Sequence, residues 1–300
     1  MNELISQSVC RQNSYMQGLD VIMINDIERN QFYDELISNV VKDKICADIG
    51  FGAGLLTMMA IHHGAKHVYA YEQDPVTFDM GKAIVEKMGY ADRVTFINKQ
   101  YNSNLVNPTF WPSDGAYSDK IEIVLHELLM RAIWGEGLYD IYRMNRNTKA
   151  QIHPSIMKCE IAICQNVDYS IFGEAQQYDF DTGIEYLKDF NDTWHDLTSS
   201  DTHFAFWPYT STLAKTNVRK HFTNIVGEYC FDLNQDDIPE IIEVPVKLPR
   251  PCLVTTLCSM NGHYVVRPNG AWRPDKIIGI DTQKAKLFKH NTRDGNWWIE

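Results

Sequence analysis

The sequence has no apolar run close to the roughly 20 residues that a membrane-spanning helix requires, so no transmembrane helix is expected. It has seven cysteines (Cys10, Cys46, Cys159, Cys164, Cys230, Cys252 and Cys258), an odd number with no pair at C-x-x-C spacing. Neither a zinc ribbon nor a dithiol redox motif is therefore written into it, and no metal is expected. Basic residues are scarce. Lys and Arg number 28 against 39 Asp and Glu, a formal net charge of -11, which argues against direct nucleic-acid binding through phosphates. The opening "MNELISQSVCRQNSY" lacks the basic-then-apolar pattern of a secretory signal. With the unpaired thiols, this predicts a reducing, cytoplasmic location and no membrane partner. No internal repeat or low-complexity segment is present.

What is present is an ordinary globular composition, 44% hydrophobic with seven tryptophans over 300 residues, enough for two domains. The first half alternates strand and helix patterns. "KICADIG" (44–50), "HVYAYE" (67–72), "RVTFINK" (93–99) and "IEIVLHE" (121–127) read as strands. "LLTMMAIHHG" (55–64) reads as a helix, and Asp74-Pro75 opens another whose buried face is expected to be Phe78, Ala83, Val85 and Met88. That alternation means α/β, a parallel sheet covered by helices, over residues 1–150. After about residue 150 the pattern changes. "SIMKCEIAICQNV", "EIIEVPVKL", "CLVTTLCSM" and "KIIGIDT" are strand-like, predicting an antiparallel, barrel-like or sandwich domain over 151–300. Between them, residues 170–215 lack two-residue alternation and are expected to form a helical arm.

"ADIGFGAGLLTMMA" places Asp48, Gly50, Gly52 and Gly54 between the first strand and its helix. Glycines there let the backbone turn sharply and approach a ligand where a Cβ would collide. In a parallel sheet that turn lies at the carboxyl edge, where ligands bind. Glu72 ends the next strand, placed to accept hydrogen bonds from ribose hydroxyls. The glycine spacing departs from the dinucleotide pattern G-x-G-x-x-G, and Asp48 before the glycines marks an S-adenosylmethionine site.

The stretch "VLHELLMRAIWGEG" (124–137) holds two glutamates, Glu127 and Glu136, nine positions apart. A guanidinium offers five N–H donors in a planar fork and stays protonated. Two carboxylates can grip it and leave one nitrogen facing a methyl donor. With this pair the chain resembles the protein arginine N-methyltransferase family, closest to its type III, monomethylating members. The resemblance runs from residue 14 to about 265, through "MINDIERNQFY" (23–33), "DIGFGAGLLTMMA" (48–60), "YAYE" (69–72), "INK" (97–99), "ELLMRAIWGEG" (127–137) and "IHPSIMKCEIAI" (152–163). It implies a Rossmann-like class I methyltransferase sheet, S-adenosylmethionine as cofactor, and transfer of a methyl group to an arginine of a protein or peptide. It also implies a homodimer built through the arm. Glu127, Glu136 and Asp26 are the implied catalytic residues. Arg29, Asp48, Gly50, Gly52, Gly54, Glu72, Tyr101 and Asn102 are implied to hold the cofactor, and Met23 to line the acceptor pocket.

The sequence departs from the family pattern in three places. His126 stands where the family has serine before the first glutamate, and a packing role is expected. The threonine-histidine-tryptophan loop is missing. "GNWW" (295–298) is its nearest counterpart in order along the chain, making Trp297 the expected groove aromatic, with Asn296 in place of histidine. The tyrosine-rich N-terminal helix is reduced to "NSYMQ", with Tyr15 its remnant. Two other functions stay open on the sequence: a cofactor-binding regulatory subunit, and a methyltransferase acting on a small amine or guanidine.

Overall fold

The computed structural model describes residues 26–98, 121–129, 133–146, 148–164, 204–206, 222–249, 252–265, 277–280 and 286–300. Met23, Tyr101, Asn102, Tyr15 and nearly all of the expected arm lie outside these residues.

The first half builds helix α1 (Ile27–Val40), strand β1 (Ile45–Ile49), α2 (Leu55–His62), β2 (His67–Glu72), α3 (Pro75–Lys87), β3 (Val94–Asn98), β4 (Ile123–His126), α4 (Leu138–Asn145) and β5 (Gln151–His153). The five strands form one parallel sheet in the order β3-β2-β1-β4-β5. The chain leaves β1 toward β2 and β3 and then returns to β4 on the other side. The switch point therefore lies between β1 and β4, at their carboxyl ends. Alternating residues feed two cores. Cys46, Val68, Ile123 and Leu125 pack under Tyr33 and Ile37 of α1 and Leu56, Ala60 and Ile61 of α2. Ala47, Ile49, Tyr69, Tyr71 and Val124 face the other way, onto Leu138, Ile141 and Tyr142 of α4. Burial on both faces accounts for the near-continuous apolar runs of these strands.

Helix α3 corrects one sequence expectation. Asp74 caps it by accepting from the Thr77 amide at 2.7 Å, but its buried face is Thr77, Gly81 and Val85, spaced by four. Met88 is 61% exposed. The reason is Gly81: a Cβ there would stand 2.0 Å from the Gly52 carbonyl oxygen and 2.6 Å from the Phe51 ring. Size, not apolarity, decides which face of α3 meets the glycine turn.

The second half supplies β6 (Ile156–Cys164), β7 (Phe204–Phe206), β8 (Asn224–Asp232), β9 (Ile241–Pro245), β10 (Cys252–Met260), β11 (His263–Tyr264), β12 (Ile277–Ile280), β13 (Leu287–Asn291) and β14 (Trp297–Ile299). They form two antiparallel sheets, β7-β12-β10-β6-β8 with β11 on β10, and β14-β13-β9. Phe204–Phe206, inside the stretch expected to be a helical arm, is instead an edge strand on β12. Strand β9 alternates strictly, with Ile242 and Val244 inward. In register with it, Phe288 and His290 of β13 and Trp297 and Ile299 of β14 also turn inward. These residues join the core above the parallel sheet, so one apolar interior runs from β1 to β14.

Asparagine side chains stitch the halves. Asn234 accepts from the Ile152 amide at 2.7 Å and donates to the Ile152 carbonyl at 3.0 Å, acting as a strand on the outer edge of β5. Asn261 accepts from the amides of Ser155 and Ile156 at the start of β6. The Phe32 ring of α1 stacks on His263 of β11, centroids 4.4 Å apart.

Candidate active site

Strand register brings three motifs to one edge. Ile49 pairs with Tyr71 on one side and His126 on the other, so the next residues, Gly50, Glu72 and Glu127, stand side by side. The turn between β1 and α2 folds back on β2, with Gly50 and Phe51 amides donating to the Tyr71 carbonyl at 2.8 and 3.0 Å. Gly50, Gly52 and Gly54 all take positive φ, +73°, +53° and +86°. At Gly54 a Cβ would also strike Val85 at 2.5 Å, whereas at Gly50 and Gly52 it would meet nothing nearer than 3.4 Å. Those two positions leave a shallow backbone cradle open at the sheet edge.

Two carboxylates border that cradle. Glu72 accepts from the Gly52 amide at 3.2 Å and the Asp74 amide at 3.0 Å. Burial raises its pKa, and those amides oppose the shift. Asp48 is fully buried; its Oδ2 accepts from the Thr57 hydroxyl at 2.7 Å. Its Oδ1 has no hydrogen-bond partner among the described residues, and burial lifts the carboxyl to about 7. A buried carboxylate oxygen without a partner beside an open backbone cradle suits a ligand that carries its own donor. Thr57 had no signal in the sequence, since a lone threonine in an apolar helix reads as filler.

The start of α1 builds the other wall. Asp26 is the N-cap, accepting from the Arg29 amide at 3.1 Å. The Arg29 side chain reaches Glu127, Nε to Oε1 at 3.0 Å, with side chains 7% and 5% exposed. Burial works against the charge on Arg29, and Glu127 beside it outweighs that, holding the guanidinium above its ordinary pKa. Tyr33, one turn on, lies 5.3 Å beneath the Arg29 guanidinium and donates to the His126 carbonyl at 3.2 Å. Helix α1 is thereby fixed to the end of β4. His126 itself is buried, its Nε2 3.0 Å from the Pro154 carbonyl, and burial lowers its pKa to about 4. It packs, as the sequence suggested.

Glu136 is half-buried on the turn 133–137 that leads into α4, whose N-cap is Gly137 at φ +85°. Leu128, the residue after Glu127, brings its side chain to 3.4 Å from where a Gly50 Cβ would stand. Trp297 is not where the sequence placed it. The β13–β14 register turns it inward opposite His290, 1% exposed and 5.3 Å from Phe288, so it is a core residue and lines no groove among the described residues. Among the described residues, no group of three or more His, Cys, Asp or Glu could hold a metal ion, and no helix is long and apolar enough to cross a membrane.

A parallel sheet of this order, with a glycine turn and an acid at its switch point, is a Rossmann-type sheet, here joined to antiparallel sheets. No family profile matches the chain. Protein arginine N-methyltransferase 7 of Danio rerio is 33% identical over 127 residues, 40% of this chain and 18% of that protein. Protein arginine N-methyltransferase 1 of Saccharomyces cerevisiae is 37% identical over 89 residues, 28% of this chain and 25% of that protein. The matches thus span a quarter or less of these curated relatives. Among solved structures, a crystal structure of PRMT6 superposes with a TM-score of 0.60 at 13% identity, covering 95% of this chain and 98% of that one. The Trypanosoma brucei PRMT1 enzyme-prozyme complex with AdoHcy gives 0.56 at 16% identity, covering 91% and 87%. The chain is thus similar to protein arginine N-methyltransferases over part of its sequence, and it shares the two-part fold of these solved structures.

Proposed function

We propose that the chain transfers a methyl group from S-adenosylmethionine to a guanidino nitrogen of arginine in a protein or peptide, giving ω-monomethylarginine. The observation that carries this reading is the row Glu72–Gly50–Glu127 at the switch point, with Glu127 already paired to a buried guanidinium. S-Adenosylmethionine supplies an electrophilic methyl on a sulfonium. Glu72 suits its ribose and Asp48 Oδ1 an ammonium, while Arg29 suits a carboxylate. The similarity to relatives named as arginine methyltransferases supports the same assignment.

The chain's own groups then act on the acceptor. Glu127 and Glu136 accept hydrogen bonds from one side of the substrate guanidinium, orienting the remaining nitrogen and drawing positive charge away from it. Arg29 fixes one Glu127 oxygen, so that carboxylate is held before the substrate arrives. Most of the rate enhancement is then positioning at near-attack distance. The product type rests on the type III resemblance. The homodimer rests on residues 170–215 taking the place of the family's arm, and light scattering tests it. A cytoplasmic location rests on the thiol count.

The deciding experiment incubates the purified protein with methyl-labelled S-adenosylmethionine and an arginine-glycine-rich peptide, beside an all-lysine peptide and a Glu127→Gln variant. Label in monomethylarginine, lost in the variant, is expected. Cofactor binding without transfer would select a second reading, a regulatory subunit, which one observation favours: Trp297 is buried in the core instead of lining a substrate groove.

A further inference from the structure

The turn that carries Glu136 begins in a conformation that L side chains rarely adopt. Ile133 has φ +85° while 1% exposed, and a β-branched residue stays there only when its surroundings over-determine it. The next residue supplies such surroundings. Trp134 is fully buried, and its indole Nε1–H donates to the Tyr229 hydroxyl of β8 at 3.1 Å. That hydroxyl lies 2.8 Å from His290 Nδ1 on β13, and His290 Nε2 lies 3.2 Å from the Gly295 carbonyl.

The proton positions follow from what each atom can do. A carbonyl only accepts, so His290 Nε2 donates to Gly295; the indole N–H only donates, so the Tyr229 oxygen accepts from Trp134 and its O–H is left for His290 Nδ1. Tyr229 therefore donates to His290 and accepts from Trp134. The result is a one-way chain from the glutamate turn through β8 and β13 to the β13–β14 turn, with Trp134, Tyr229 and His290 each at least nine-tenths buried.

We propose that Tyr229 is a positioning residue: through Trp134 in front and His290 behind, it holds the strained turn so that Glu136 stands at the acceptor pocket. What Glu136 does there rests on the methyl-transfer reading; the holding does not. Phenylalanine at 229 keeps the ring and removes only the hydroxyl, taking the acceptor from the Trp134 N–H and the phenol partner from His290 Nδ1.

The experiment compares wild type, Tyr229→Phe and Ile161→Val, which thins the same core without touching the chain. Hydrogen–deuterium exchange is read over 133–137 and over β1 and β2, together with kcat and KM for an arginine peptide and calorimetric cofactor binding. In Tyr229→Phe, exchange over 133–137 is expected to quicken by about tenfold while β1 and β2 stay unchanged. A fall in kcat of roughly ten- to a hundredfold is expected with it, exceeding any rise in KM, and cofactor binding is retained. Trp134→Phe, which breaks the first link, serves the same comparison if Tyr229→Phe does not fold. Unchanged exchange over 133–137, or an equal rise in Ile161→Val, overturns the proposal. If wild type methylates no arginine peptide, the methyl-transfer reading fails and the exchange comparison still decides the holding.

Discussion

Arg29 and Glu127 are each less than a tenth exposed, and at that depth one charge is tolerable only because of the other. Removing a single partner from a buried pair strands the survivor, at a cost of about 3–5 kcal/mol. Arg29→Leu should lower unfolding stability by that order in urea titration, whereas Glu127→Gln keeps an acceptor for Nε and should cost less. His126 carries a pH signature. Burial holds it neutral down to about 4 against an ordinary 6.5. Its contribution to stability is thus full above 6.5 and lost as pH falls toward 4, where the unfolded chain takes up a proton the folded one refuses. Asp48 runs the opposite way. Lifted to about 7 from 3.8, it stays protonated in the folded chain after the unfolded chain has ionised, so its effect weakens the fold as pH rises through that window. Comparing wild type with His126→Gln isolates the histidine. Wild type should lose up to about 3 kcal/mol relative to the variant between pH 7 and 4.5, read by denaturant unfolding at each pH.

Elements meet where side chains are missing. Helix α3 approaches the β1–α2 turn through Gly81 against the Gly52 carbonyl. Gly81→Ala should push the helix off the turn and abolish cofactor binding, measured by calorimetry, while circular dichroism retains its helical signal. A glycine amid a helical pattern was a legible sign of close approach, yet the sequence expectation gave α3 an apolar face instead. Strands β1 to β4, β6, β9, β10 and β12 were legible because their sequences are rich in β-branched and apolar residues. Strand β8, "NIVGEYCFD", was not: apart from buried Tyr229 its positions are half-buried or exposed, and a glycine interrupts its apolar pattern. The site divided the same way. Glu72 and Glu127 were legible as acids closing strands and Asp48 as the acid before the glycine turn, whereas Asp26 was named only through the resemblance and its capping of α1 came from the structure. The partner of Arg29 and the chain through Tyr229 were not, because each depends on residues about 60 to 100 positions apart being brought into contact; the inward register of Trp297 was not, because it depends on which face of β13 meets β9.

At the scale of the whole chain, the core above the parallel sheet draws on β1, β2, β4, α4 and both antiparallel sheets without interruption. The two halves should therefore melt together, giving one calorimetric transition with equal calorimetric and van't Hoff enthalpies. Two transitions would show separate folding units. The Asn234 side chain, bonded to both backbone groups of Ile152, has a consequence at this scale too. A sheet margin with unsatisfied amides and carbonyls recruits whatever extended chain drifts past, and one amide group here turns that invitation away. Asn234→Ala would cost little in catalytic geometry, yet it should convert a dispersed protein into one that clumps on concentration, visible as turbidity before any loss of secondary structure.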